Sequence, residues 1–300
     1  MNKKNYKIIR IIIILVITLI IIFNSTRVIP NKYYSKVETG GNIESKYMSL
    51  GKYDVSKYEE DAKQNFKKYI IYYPSELENE DKKYPVVIFL NDTNLTASKY
   101  YKLLEHMASW GFIAVGTESS YDWNGVSADL VVNHLKSLNS RKKYNDKNNI
   151  FYNSIDLESV GIEGFGEGAI GAINAVSKDE NSSIFKCVVM ISPIGKEVSN
   201  NNEWYYDAKN VDIPSLIING DKDNDNRSDD KNIYSDISND KIFLIRKNAD
   251  YKKMYYSADG YITAWFMYYL KNDNGASKAF LGDSAEILSN KLYKNIEKNM

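Results

Sequence analysis

The chain has 300 residues, 39 basic against 39 acidic side chains, and one cysteine, Cys187. A single cysteine excludes a framework of internal disulfides, so stability rests on core burial, for which a chain of about 250 residues beyond the N-terminal segment suffices in one α/β domain. With Lys3, Lys4, Lys7 and Arg10 set aside the remainder carries about −4, which argues against a nucleic-acid partner.

Those four basic residues precede an apolar stretch that runs to Phe23, interrupted only by Thr18. The basic front edge fits the positive-inside rule, and residues 8–23 fall slightly short of the roughly 20 that a spanning helix uses. The expectation is a cytoplasmic tail and uncleaved membrane anchor over 1–23. A cleaved secretory peptide is the alternative, although no A-x-A site follows, only Asn24-Ser25-Thr26-Arg27. The first reading gives a single-pass protein of the cell membrane with its C-terminal domain outside the cytoplasm; the second gives a secreted one. Residues 24–46, polar and containing Gly40-Gly41, read as a linker, and 47–300 as the folded domain.

Within that domain, strand and helix patterns alternate. Residues 66–73 predict a strand stopped by Pro74, and 75–83 a charged loop. Residues 86–90 form a short apolar run of the kind found in buried parallel strands. Helical spacing follows over 97–109, a second buried strand over 111–116, and a helix over 126–138. The polar segment 139–153 reads as a surface excursion. A strand over 160–163 and a helix over 167–177 flank a glycine-rich turn; further strands are expected at 187–191, 214–219 and 241–245. An amphipathic helix is expected over 258–270, and a last helical stretch after Asp283. Cys187, inside one of the apolar runs, reads as a small buried hydrophobe. This alternation predicts a mostly parallel central sheet with helices on both faces.

The turn Gly161-Ile162-Glu163-Gly164-Phe165-Gly166-Glu167-Gly168 has the shape of a G-x-S-x-G nucleophile elbow with glycine at the serine position. Around it, Tyr84–Leu90, Leu104–Phe112, Ile155–Gly161 and Ile213–Asp223 occur in the order and spacing of the α/β-hydrolase superfamily. The chain resembles that superfamily over about 65–290, nearest its cutinase-like, dienelactone-hydrolase-like and platelet-activating-factor-acetylhydrolase-like branch. The resemblance implies an α/β-hydrolase fold, here preceded by one N-terminal membrane helix. Carried onto this sequence, the triad positions are Gly166 for the nucleophile, Asp223 for the acid, and Tyr251 for the histidine, or Asp250 in a register one residue away. The oxyanion positions are Thr93 and the Glu167 N–H, with Asp92 a second carboxylate near the same corner. His106 and His134 fall within helices and read as structural. Ser119 and Ser120 follow a strand but lack a base.

Three functions follow. The first is a membrane-tethered, extracytoplasmic hydrolase-fold protein that has lost catalysis and acts by binding a protein or cell-envelope ligand, with Trp123, Trp204-Tyr205-Tyr206 and Tyr251 as candidate walls. The second is a carboxylic-ester hydrolase, esterase- or lipase-like, with a non-standard site. The third is a structural or assembly role in the envelope. No cofactor is implied, apart from a calcium reading of the loop 221–232. There Asp221, Asp223, Asp225 and Asp229 stand at calcium-loop offsets, but Asn232 takes the place of the bidentate carboxylate. A solvated acidic loop is the other reading.

Overall fold

The computed structural model describes residues 5, 8–16, 18, 29–62, 66–141, 149–178, 180–222 and 230–300. Its centre is one nine-stranded sheet. The strands are β1 (Val55–Asp61), β2 (Lys68–Pro74), β3 (Tyr84–Leu90), β4 (Ile113–Thr117), β5 (Ile155–Phe165), β6 (Phe185–Ile191), β7 (Ser215–Gly220), β8 (Lys241–Arg246) and β9 (Tyr293–Asn299). They lie in the order β1-β2-β4-β3-β5-β6-β7-β8-β9. The strands from β4 to β8 in that order run parallel, while β1, β2 and β9 attach antiparallel at the two edges.

The interior strands are buried on both faces, so their sequences run apolar without alternation; every residue of β3 is buried. One face is covered by α1 (Asn42–Met48), α2 (Tyr101–Ser109), α5 (Tyr251–Ser257) and α6 (Asp259–Lys271), the other by α3 (Val126–Ser140) and α4 (Glu167–Ser177). Strand β1, Val-Ser-Lys-Tyr-Glu-Glu-Asp, escapes sequence reading because an edge strand with one wet face carries charge. The helical stretch expected after Asp283 is instead a short turn of helix followed by β9, whose Tyr293 is buried beside Glu44.

The expected N-terminal membrane helix is corrected. Residues 8–16 are helical and apolar, but nine residues span only about 13 Å of a hydrocarbon core near 30 Å. Among the described residues no helix is long and apolar enough to cross a membrane. Residues 17 and 19–23 of the expected span lie outside the described residues. Membrane attachment through this segment, and the single-pass location built on it, are therefore not supported.

Much of the stretch after residue 28 is packed against the domain. Tyr33 donates to Asp259 at 2.5 Å. Glu44, fully buried, accepts from Tyr293 (2.7 Å), Asn290 (2.8 Å) and the Gly40 N–H (2.7 Å), and pairs with Arg246 at 3.4 Å. Arg246 also donates to the Glu38 carbonyl at 2.5 Å.

Chain order reverses beside β3: β4 lies on one side, and the chain then crosses over to β5 on the other. In open α/β sheets the crevice beyond the carboxyl ends of the strands at such a switch point is where ligands bind. Here that crevice is bordered by Asn91–Thr93, after β3, and by Gly166, after β5.

Candidate functional site

Gly166 joins β5 to α4 with φ 56° and ψ −113°, and its N–H donates to the Ile191 carbonyl at 2.9 Å. A side chain in this region of φ is strained, and glycine relieves it. The space beside it is already filled. A Cβ on Gly166 would stand 2.0 Å from the Tyr251 hydroxyl oxygen and 2.5 Å from Asp92 Oδ1.

The loop after β3 thus brings Asp92 to the elbow, and the start of α5 brings Tyr251. The Tyr251 hydroxyl donates to Asp92 Oδ2 at 2.7 Å, and the Glu167 N–H, the first of α4, donates to Asp92 Oδ1 at 3.1 Å. The Phe165 ring braces the two α5 tyrosines, stacked on Tyr255 at 3.5 Å and edge-on to Tyr251 at 4.7 Å. Asp92 and Tyr251 keep partial exposure, so solvent reaches the corner.

Glu167 is fully buried. Burial raises its pKa against the hydrogen bonds it accepts from Thr93 and the Trp123 N–H, and the Asp92 and Asp122 carboxylates push the same way as burial. The net shift is upward, toward the neutral form. Behind it, buried Asp122 accepts the Asn91 N–H at 2.7 Å and the Ser127 hydroxyl, fixing the loop that carries Asp92.

Gly166, Glu167, Thr93 and Tyr251 therefore meet at one corner. Asp223, with Asp225 and Asp229, lies outside the described residues. Asp221 is paired with Lys294 at 3.1 Å, and this outweighs partial desolvation to hold its carboxyl below the usual range. Among the described residues no group of three or more His, Cys, Asp or Glu side chains is placed to hold a metal. Ser119 donates to the Tyr121 carbonyl at 3.0 Å and, with Ser120, lines a cleft of about 540 Å³. Tyr206 is buried, Trp123 and Trp204 are half-buried, and Tyr205 is exposed.

The expectation that the imidazole is lost, with Tyr251 in its place, is corrected by His106. The fold retains a buried imidazole–carboxylate pair, His106 Nδ1 to Asp259 at 2.9 Å. Burial alone would lower the His106 pKa. The Asp259 charge and hydrogen bond, with those to the Ser49 and Met48 carbonyls at 2.9 and 3.1 Å, outweigh it and raise the value. Assignment of the chain as a catalytically inactive binding protein falls with that expectation. Nε2 faces the two main-chain carbonyls and Nδ1 faces Asp259, so the ring ties α2 to α6 and to residues 48–49. The pair was missed in the sequence because 153 positions separate its members. His134 stacks on Tyr69 at 4.0 Å and sits 3.6 Å from Glu60.

Glu163, inside β5, is the other group that sequence reasoning passed over; a lone carboxylate in an apolar parallel strand was the available signal. It is buried, and its Oε2 has no hydrogen-bond partner. Burial first, then the Asp259 charge, raise its pKa well above the carboxylate range. A raised folded pKa gives stability that is full below the unfolded value, about 4.3, and lost as pH rises through the folded one. For His106 the same sign applies above about 6.5. Thermal melts are expected to show higher stability near pH 5 than near pH 8. Glu163→Gln should gain on the wild type as pH rises; a difference independent of pH would contradict the shift.

A family model described as Chlorophyllase matches residues 35–194. The match takes in β1 to β6 together with Asp92, Gly166 and Glu167, and stops short of Tyr251. No curated protein matches the chain.

Proposed function

From the membership of this chain in the chlorophyllase family, within the α/β-hydrolase superfamily, we propose that it is a carboxylic-ester hydrolase with a non-standard site at the elbow. The observation that carries this reading is the convergence of two donors, the Tyr251 hydroxyl and the Glu167 N–H, on the Asp92 carboxylate. Two donors on one carboxylate fix its orientation at the elbow, as a base that must meet its water in a set geometry requires.

Asp92 is the general base and Glu167 the general acid. Asp92 takes a proton from water as the water oxygen attacks the ester carbonyl, and the carbonyl electron pair moves onto the carbonyl oxygen. Collapse breaks the bond to the alcohol oxygen, and that oxygen takes the Glu167 proton. The proton on Asp92 then passes to Glu167, whose carboxyl lies near enough to feel the Asp92 charge, leaving acid and alcohol. Of the two carboxylates, Glu167 is the one whose surroundings favour the proton, as a general acid needs.

The test is hydrolysis of ethyl butyrate, whose alcohol departs only with a proton, by the full chain across pH. The wild-type rate is expected to fall on the alkaline side as Glu167 loses its proton through a raised pKa, and Glu167→Gln to remove that limb and lower the plateau. No turnover above the buffer rate across short- and medium-chain esters would sink the reading. So would an alkaline limb that Glu167→Gln leaves in place.

A further inference from the structure

The geometry points to a second binding site, at the opposite end of the sheet from the elbow, that takes an amphiphilic carboxylate. A cleft of about 500 Å³ opens there between residues 50–53, the turn 109–111 that leads into β4, and the last turns of α6. Leu50, Trp110 and Met267 supply apolar walls, and Lys271 faces the cleft from the C-terminal end of α6.

The Lys271 ammonium is held by main chain. It donates to the Trp110 carbonyl at 2.9 Å and the Gly111 carbonyl at 3.3 Å. Gly111 has φ 87°, and a Cβ there would stand 2.6 Å from the amine nitrogen, so glycine at this turn makes the room that Lys271 occupies. An ammonium has three N–H groups. Two carbonyl bonds leave the third for a ligand.

Two further cations gather on the same ring. The amine nitrogens of Lys52, Lys82 and Lys271 stand 5.1, 5.6 and 5.7 Å from the centroid of Tyr53, and Lys82 lies 3.4 Å from its hydroxyl. Among the described residues no carboxylate forms an ion pair with any of the three. The acid that acts on Lys271, Asp273, is engaged by the Tyr47 hydroxyl at 2.7 Å and the Gly275 N–H at 2.7 Å. Burial, then Lys82 and Lys52, pull the Lys271 pKa down to about 8. A carboxylate among these amines supplies the missing negative charge, and its tail covers Leu50, Trp110 and Met267. An inorganic anion leaves that apolar wall bare.

Titration calorimetry of the full chain compares three probes: 4-phenylbutanoate, 4-phenylbutanol with the same tail and no charge, and inorganic phosphate. Saturable binding of phenylbutanoate is expected, and Lys271→Met should weaken it about tenfold or more, the worth of one charge-assisted hydrogen bond. The surface pair Lys52→Gln and Lys82→Gln should weaken it in the same direction without touching the core. Neither change should alter phenylbutanol binding or p-nitrophenyl butyrate hydrolysis. As an independent readout, acetylation of Lys271 followed by mass spectrometry should slow in phenylbutanoate and not in phenylbutanol. Equal phenylbutanoate affinity in wild type and both variants would overturn the proposal. Phosphate binding as tight as phenylbutanoate binding would do so too, as would a Lys271 acetylation rate indifferent to the ligand.

Discussion

Asp92→Asn is expected to lower kcat/KM for p-nitrophenyl butyrate by about 100-fold or more, the usual worth of a positioned general base. The change keeps the volume of the side chain. Its amide oxygen can still accept from Tyr251, but the amide has no basicity to take a proton from water. Its NH2 group would face the Glu167 N–H at the place where Oδ1 now accepts it at 3.1 Å. Because the corner is partly exposed, the fold should survive, with a melting temperature within a few degrees of wild type. The loss should fall in kcat more than in KM. An Asp92→Asn protein that turns over at the wild-type rate would place the base elsewhere.

The second large effect is on stability. Asp259→Ala leaves the fully buried His106 ring without the carboxylate it faces and strips the Tyr33 hydroxyl of its acceptor. Breaking one side of a buried ion pair costs about 3–5 kcal/mol. For a domain of this size that is a drop on the order of 10 °C in melting temperature. Removing both charges, with His106→Met added to Asp259→Ala, should recover part of the loss, since no charge is then left buried. Chemical denaturation of the two variants measures this directly. A single variant within about 1 kcal/mol of wild type would contradict a stabilising pair. Loss of ester turnover at unchanged stability would make the pair catalytic.

What the sequence made legible follows from what each element has to bury. Strands β3, β5 and β6 announce themselves because both faces are covered, and the glycine-rich run before Glu167 marks the strand-to-helix turn. The edges were opaque for the opposite reason. In β1 half the side chains meet water, and β9, with Lys294, Asn295, Glu297 and Lys298, has too little apolar pattern to declare a period. The carboxylates at the elbow could be read from their positions beside the turn, but the partners they found could not. Asp92 meets Tyr251 across 159 positions, and His106 meets Asp259 across 153; neither pairing leaves a local trace. The N-terminal apolar run shows the limit of composition: hydropathy over residues 8–23 suggested a span that no described helix is long enough to make.

The cage around Glu44 has a consequence for how the polypeptide is made. Its partners Arg246, Asn290 and Tyr293 are synthesised some 200 to 250 residues later. Emerging from the ribosome, Glu44 lacks its full set of partners until the ninth strand has been translated, while β3 to β6 can already pair. Loop closure over so long a separation is slow compared with local contacts. Docking of the leading segment is thus a late, post-translational event. Until it happens, the surface that α6 presents to Tyr33 and α1 is open to chaperones and proteases.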